Sequence, residues 1–243
     1  MSDFEFEIAE LKKKIEELEE KKGKIPSYQY SKIRDTDLRK LFSIKKNLKR
    51  NIFETWFNKN IILSHEINDF LNKLMKENET LIQSYKEEDL KMYFIGPLLN
   101  KVNFKLIKNE IRGFYEESLT YRTDEFILNG TTDFIVSKGL IYSEMPYFFI
   151  QEFKKNRVNS DPEPQLIAEL ISAVELNDWK SIKGAYIVGE NWNFVILHRL
   201  EKHKYEYFVS RTFNSTNIED LKGIFRNLLF VKQEIIEMVK EDR

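Results

Sequence analysis

Apolar and polar positions divide the chain into a helical first part and a strand-rich second part. Phe4, Ile8, Leu11, Ile15 and Leu18 are spaced four, three, four and three, with Glu and Lys filling the gaps. That is the seam of a short amphipathic helix, which could pair with a second copy or pack on its own domain. Gly23 and Pro26 mark its end. Residues 31–106 keep the helical period. Leu38, Leu41, Phe42, Ile44 and Leu48 form one apolar face, and Ile61, Ile67, Phe70, Leu71 and Leu74 another. Ser84 stands three residues before Glu87, as in a capping box, ahead of Leu90, Tyr93, Phe94, Leu98 and Leu99. Pro97 is expected to bend or end that helix.

The period then changes to two. Residues 118–128 alternate as a strand, Asn129 and Gly130 read as a tight hairpin turn, and residues 131–137 resume the strand. Residues 147–154 form a second strand that is almost wholly apolar until its end. A helix with Leu166, Ile167, Leu170, Ile171 and Val174 follows the loop 156–164. Strands at 185–188, 193–198 and 205–212 come next, and a last helix starts near Asn217. The order predicts an α/β (α+β) fold, with a helical arm over residues 1–80 and a sheet domain over 81–243.

Composition narrows the function. The chain has 243 residues, with 39 Lys and Arg against 40 Asp and Glu. A hydrophobic share of 42% excludes a disordered tail, and 33% charged residues with only short apolar runs exclude a membrane bundle. Without cysteine there are no disulfides, thiolate nucleophiles or cysteine-held zinc. The three histidines, His65, His198 and His203, are too dispersed for a His-rich metal cage. Neither GxGxxG nor GxxxxGK[ST] occurs. The expected compartment is the cytoplasm.

The near-neutral total hides a basic stretch. Residues 24–59 hold ten Lys or Arg against three acids, with Tyr28, Tyr30, Phe42, Phe53, Trp56 and Phe57 interleaved. Such a stretch can grip phosphates and stack bases, or it can be a solvated face whose aromatics enter a core.

The chemistry concentrates on Asp133, Glu152 and Lys154. Glu152 and Lys154 are two apart on one strand, so both side chains leave the same face. Acids and a lysine at the end of an apolar, buried strand need partners. Two carboxylates from adjacent strands would suit a hard divalent cation, which polarises a phosphodiester and acidifies a bound water. A nearby lysine could orient that water or stabilise growing charge. The plainer reading is a same-face ion pair beside a turn-proximal acid.

The segments Gly130-Thr-Thr-Asp133 and Gln151-Glu-Phe-Lys154 resemble the signature of the PD-(D/E)XK nuclease superfamily. The helix Gln165-Leu-Ile-Ala-Glu-Leu170 resembles the glutamine-bearing helix that follows the E-x-K strand in several branches. Residues 87–99 are similar to the leading helix of the nuclease domains of type I and type IV restriction enzymes. The resemblance covers residues 84–213, in the order α-β-β-β-α-β. The chain departs from the pattern at Thr132, where a proline is usual, and at Glu169, where one branch has tyrosine.

The resemblance implies a restriction-endonuclease-like core, a central mixed sheet flanked by helices. It implies Asp133 and Glu152 as metal ligands, Glu87 as an accessory ligand preferred over Glu88, Lys154 as the catalytic lysine and Gln165 as an orienting residue. The metal would be Mg2+, with Mn2+ able to substitute, and the substrate nucleic acid, DNA before RNA, in a restriction, defence or mobile-element setting. Lys155, Arg157 and Arg211 are candidate phosphate contacts. The alternative is a non-catalytic module of the same fold that binds nucleic acid or protein, dimerises through its N-terminal helix or joins a partner subunit.

Overall fold

A computed structural model describes residues 25–155 and 161–241. The heptad seam, Lys24 and Arg157 lie outside the described residues. Strand β1 (Ser27–Gln29) leads through a 3₁₀ turn to helix α1 (Asp35–Leu41) and strand β2 (Ser43–Asn47). Helices α2 (Glu54–Phe57) and α3 (His65–Asn78) follow. Next come α4 (Glu87–Leu90), a π turn (Lys91–Ile95) and α5 (Gly96–Val102) in one unbroken run. Strands β3 (Ile111–Arg122), β4 (Ile127–Lys138) and β5 (Glu144–Lys154) precede helix α6 (Pro162–Leu176). Strands β6 (Ser181–Val188), β7 (Asn191–Glu201), β8 (Lys204–Val209) and β9 (Phe213–Asn214) lead to helix α7 (Ile218–Glu241).

The strands form one mixed sheet in the order β1-β4-β5-β6-β7-β8-β2, with β3 also on β4 and β9 also on β7. The pairs β1–β4, β5–β6 and β2–β8 are parallel; β3–β4, β4–β5, β6–β7 and β7–β8 are antiparallel. The expected central mixed sheet flanked by helices is therefore present. Alternation sorts the side chains between two cores. Phe134, Val136, Phe149 and Phe153 enter the layer that holds Trp56, Phe94, Leu98 and Phe225. Ile135 and Ile150 enter the layer built on α6. Strands covered on both faces read as near-continuous apolar runs, which is the pattern of β5. Each large side chain removed from water in this way contributes about 1.5–3 kcal/mol.

Helix α6 is buried from Pro164 to Val174, which explains why apolar residues occur on all its sides. One side lies on β5 and β6, and the other is covered by the 3₁₀ turn and α1. Tyr30 is fully buried there, and its hydroxyl donates to Ser172 Oγ at 2.8 Å. The segment that covers α6 is thus part of the same core as the strands downstream of residue 81.

Four local expectations are corrected. Residues 43–47 extend as an edge strand along β8 instead of continuing the helix, with Ser43 opposite Lys204 and Asn47 opposite Phe208. Pairing β8's bare edge outweighs a weak helical pattern, and Leu48, read onto the apolar face, is 83% exposed. Asn129 and Gly130 lie inside β4, opposite Thr120 and Leu119. The chain reverses instead between Thr123 and Phe126, where Thr123 Oγ1 accepts from Phe126 N–H at 3.0 Å. Gly130 serves a close approach: at φ +150° a Cβ there would lie 2.9 Å from the Tyr30 ring. Pro97 does not end its helix. The π turn lets the Gly96 N–H reach Lys91 O, a widened turn that accommodates the proline at the start of α5. Ser84 does not cap either; its hydroxyl bonds Leu81 O, and Asp89 accepts from the Lys86 N–H at the helix start.

The basic stretch also resolves. Tyr30, Phe42, Phe53 and Trp56 are buried and cannot stack on bases, whereas Lys32, Arg39, Lys40, Lys45, Lys49 and Arg50 are exposed. Those four aromatics thus enter a core, and the basic side chains face solvent.

Candidate functional site

The site grows from a parting of two strands. β4 and β5 pair antiparallel up to Phe134 opposite Gln151, and in that register the next pair would be Asp133 and Glu152. They do not pair. β5 stays with β6, where Glu152 lies opposite Tyr186 and Lys154 opposite Val188. β1 runs beside β4 only as far as Asn129. The Phe153 N–H, which a neighbouring strand would have bonded, donates to Asp133 Oδ2 at 2.7 Å. A side chain thus replaces a backbone acceptor, satisfying the amide and fixing the carboxylate.

Side chains from other elements close on this notch. Lys154 Nζ lies 2.5 Å from Glu152 Oε1 and 3.9 Å from Glu87 Oε1. Glu87 on α4 and Lys91 on the π turn are one helical turn apart and 3.6 Å from each other. The Lys91 ammonium donates to Asp133 Oδ1 and to Glu116 Oε1, each at 2.7 Å. Glu116 would face Asp133 across β3–β4, but it adopts φ +53°, a left-handed conformation that costs about 1–2 kcal/mol outside glycine. From α6, Gln165 Nε2 donates to Glu169 Oε1 at 3.1 Å.

Burial makes this cluster electrostatically tense. Glu152 and Glu169 are fully buried, Asp133 is 7% exposed, and Glu152 Oε2 and Glu169 Oε2 find no hydrogen-bond partner among the described residues. Burial, reinforced by Glu169 and Asp133, pushes the Glu152 carboxyl well above the usual carboxylate range. Burial does the same to Glu169, with the Gln165 hydrogen bond opposing and Asp133 adding. Glu87 is raised by burial too, against the attraction of Lys154. Burial works against the Lys154 ammonium, yet Glu152, Asp133 and Glu87 together hold its pKa above that of a free lysine. The Asp133 and Glu116 carboxylates, again against burial, do the same for Lys91.

All five residues expected from the sequence, Glu87, Asp133, Glu152, Lys154 and Gln165, therefore collect at the strand parting. Gln165 does so through Glu169. Lys91, Glu116 and Glu169 were not expected there. Glu169 could have been found as the acid one turn after Gln165 amid apolar residues, and Lys91 as the base one turn after Glu87. Nothing in the local sequence marks Glu116, because its place depends on a backbone twist.

The oxygen donors are of the kind a hard divalent cation takes, and the buried, unpartnered Glu152 Oε2 fits such a role. Carboxylates outnumber ammonium groups here, so a dication would relieve repulsion. Among the described residues, however, no three Asp, Glu or His side chains converge closely enough to hold an ion. Lys91 holds the Asp133 oxygen instead.

The other candidates have separate duties. His198 stacks edge-on to Phe208, and burial lowers its pKa; His203, at φ +58°, sits between Phe42 and Phe126 with Tyr121. Arg211 is bound to Asp220 at 2.8 Å and lies on the Phe213 ring. No helix among the described residues is long and apolar enough to cross a membrane. No protein-family model matches this chain, and no curated protein does.

Proposed function

We propose that this chain is a divalent-metal-dependent nuclease that hydrolyses phosphodiester bonds of DNA, in preference to RNA. Mg2+ is the expected metal, with Mn2+ able to replace it, and a restriction, defence or mobile-element role in the cytoplasm is the expected setting. The observation that carries the reading is the strand parting that gathers Asp133, Glu152, Lys154 and Glu87 from three separate elements. Asp133 and Glu152, with Glu87, would hold the cation. Once bound, the cation would supply Lewis acidity at the phosphate and a lowered pKa for its water. Lys154, paired with Glu152 and near Glu87, would orient the attacking water through its ammonium protons. Glu169 and Gln165 hold the rear of the site. The exposed lysines and arginines of residues 32–50 are the candidate phosphate surface. A homodimer through the heptad segment, or a partner subunit, would complete recognition.

A second reading, a non-catalytic binding module, draws on the Lys91–Asp133 pair and the lack of a converged acid trio among the described residues. Cleavage separates the two. Supercoiled plasmid, linear duplex, single-stranded DNA and RNA are incubated with Mg2+ or Mn2+ and wild type, Asp133→Ala or Lys154→Ala. The nuclease reading expects metal-dependent cutting that falls on the order of 10²–10³-fold or more in either variant. Absence of cutting, together with no heat of metal binding, overturns it in favour of the binding module.

A further inference from the structure

The sequence motif accounts for Lys154 but not for Lys91, which holds the more central position. Lys91 Nζ is 2.7 Å from Asp133 Oδ1, 2.7 Å from Glu116 Oε1 and 3.6 Å from Glu87 Oε1, and its side chain is only 18% exposed. It therefore contacts two of the three carboxylates proposed to hold the cation. Its backbone is placed by the π turn, whose wide loop runs from Lys91 O to the Gly96 N–H just before Pro97. The second observation is the fully buried Glu152, whose Oε2 has no partner among the described residues while Asp133 Oδ1 is occupied.

We infer that Lys91 is a built-in counterion that competes with the divalent cation for Asp133 and Glu87 and must swing away for the metal to bind. This rests on the metal-dependent reading above. It deepens that reading by explaining why the acids do not converge: Lys91 ties Asp133 and Glu87 toward α4 and β3. Lys91 holds Asp133 Oδ1 while Oδ2 accepts from the Phe153 N–H, so a cation at Asp133 must displace the ammonium from Oδ1 or meet strong repulsion, whereas Lys154 leaves Glu152 Oε2 open. The swing is available because Glu116, 59% exposed at its side chain, offers Lys91 a solvent-facing acceptor outside the notch. Lys91 is thus a positioning residue that sets metal affinity, and the threshold concentration at which the site loads.

The test is calorimetric Mn2+ binding to the full chain, as wild type, Lys91→Met and Lys183→Met. Lys183 pairs with Glu234 on helix α7, so its loss removes the same charge away from the notch. The expected result is Mn2+ binding about tenfold or more tighter in Lys91→Met and unchanged in Lys183→Met. Equal or weaker binding in Lys91→Met, with wild type still binding, overturns the competition and leaves the nuclease reading standing. No binding by wild type or Lys91→Met overturns both. Should Lys91→Met fail to fold, reductive methylation of wild type decides: saturating Mn2+ should speed modification of Lys91 several-fold relative to Lys183. An unchanged Lys91 rate with Mn2+ bound overturns the inference.

Discussion

Helix α6 carries three carboxylates six residues apart, Glu163, Glu169 and Glu175, and the fold treats them in opposite ways. Six residues turn a helix by about 600°, so the three leave it in three directions. Glu163 accepts from Tyr186 and Tyr207, each at 3.1 Å, and from Lys46 at 2.5 Å. Glu175, 5% exposed at its side chain, accepts from Tyr205 at 2.6 Å and faces Arg199 Nε at 2.9 Å. Glu169, deeper than either, has a single amide donor and repels Glu152 and Asp133. The outer two pin α6 to the sheet. The middle one burdens the fold, and a buried acid without compensation is where function is to be sought.

This contrast can be broken by substitution. Among the substitutions the largest effect belongs to Glu175→Ala, which leaves Arg199 with only the exposed Asp178 and should lower stability by about 2–3 kcal/mol in urea unfolding. A loss near zero would place Glu175 in the same class as Glu169.

The pH dependence comes next. The Glu152 and Glu169 carboxyls have folded pKa values raised above the ordinary 4.5, so the native state binds more protons than the unfolded chain. Their contribution is fully present below about pH 4.5 and is lost as pH rises through the folded values. Metal-free protein should lose up to about 1.4 kcal/mol per pH unit for each such proton. Urea midpoints from pH 5 to pH 8 should therefore fall, and a flat or rising profile contradicts the tension described here.

Glu169→Gln keeps the shape and removes the charge. It should raise stability at pH 8 by about 1 kcal/mol and flatten the pH profile. A destabilised Glu169→Gln would mean that the ionised carboxylate is compensated after all. The smallest change is Tyr205→Phe, which deletes one hydrogen bond to Glu175 for about 0.5–1.5 kcal/mol and should leave the pH slope intact.

Much of this arrangement was readable from residue order, and the reasons for the misses are physical. β5 was visible because a strand buried on both faces is apolar without interruption, and Glu152 and Lys154 stood out against it. α6 was visible for the same reason, and the long α7 by the apolar residues that recur on one of its sides. The misreadings at residues 43–47 and at Asn129 and Gly130 share one cause. Edge pairing to β8 and the contact of Gly130 with Tyr30 join residues about 100 or more apart in the chain, and a local period carries no trace of them. Glu116 was invisible because its orientation follows from φ +53°, and Lys91 because its reach depends on the π turn.

By itself, then, the sequence determined the composition of the layers, the strand that ends in Glu152 and Lys154, and the set of acids and lysine on which the proposed phosphodiester chemistry rests. Periodicity and burial follow from local spacing and hydrophobicity, which are written residue by residue. Only the tertiary structure decided that β4 and β5 part at Asp133, that residues 27–47 cover α6 and both ends of the sheet, and that Lys91 holds the central carboxylate. Those outcomes depend on which backbone edges are left to pair and which buried charges meet. Both are settled by the whole chain's packing at once.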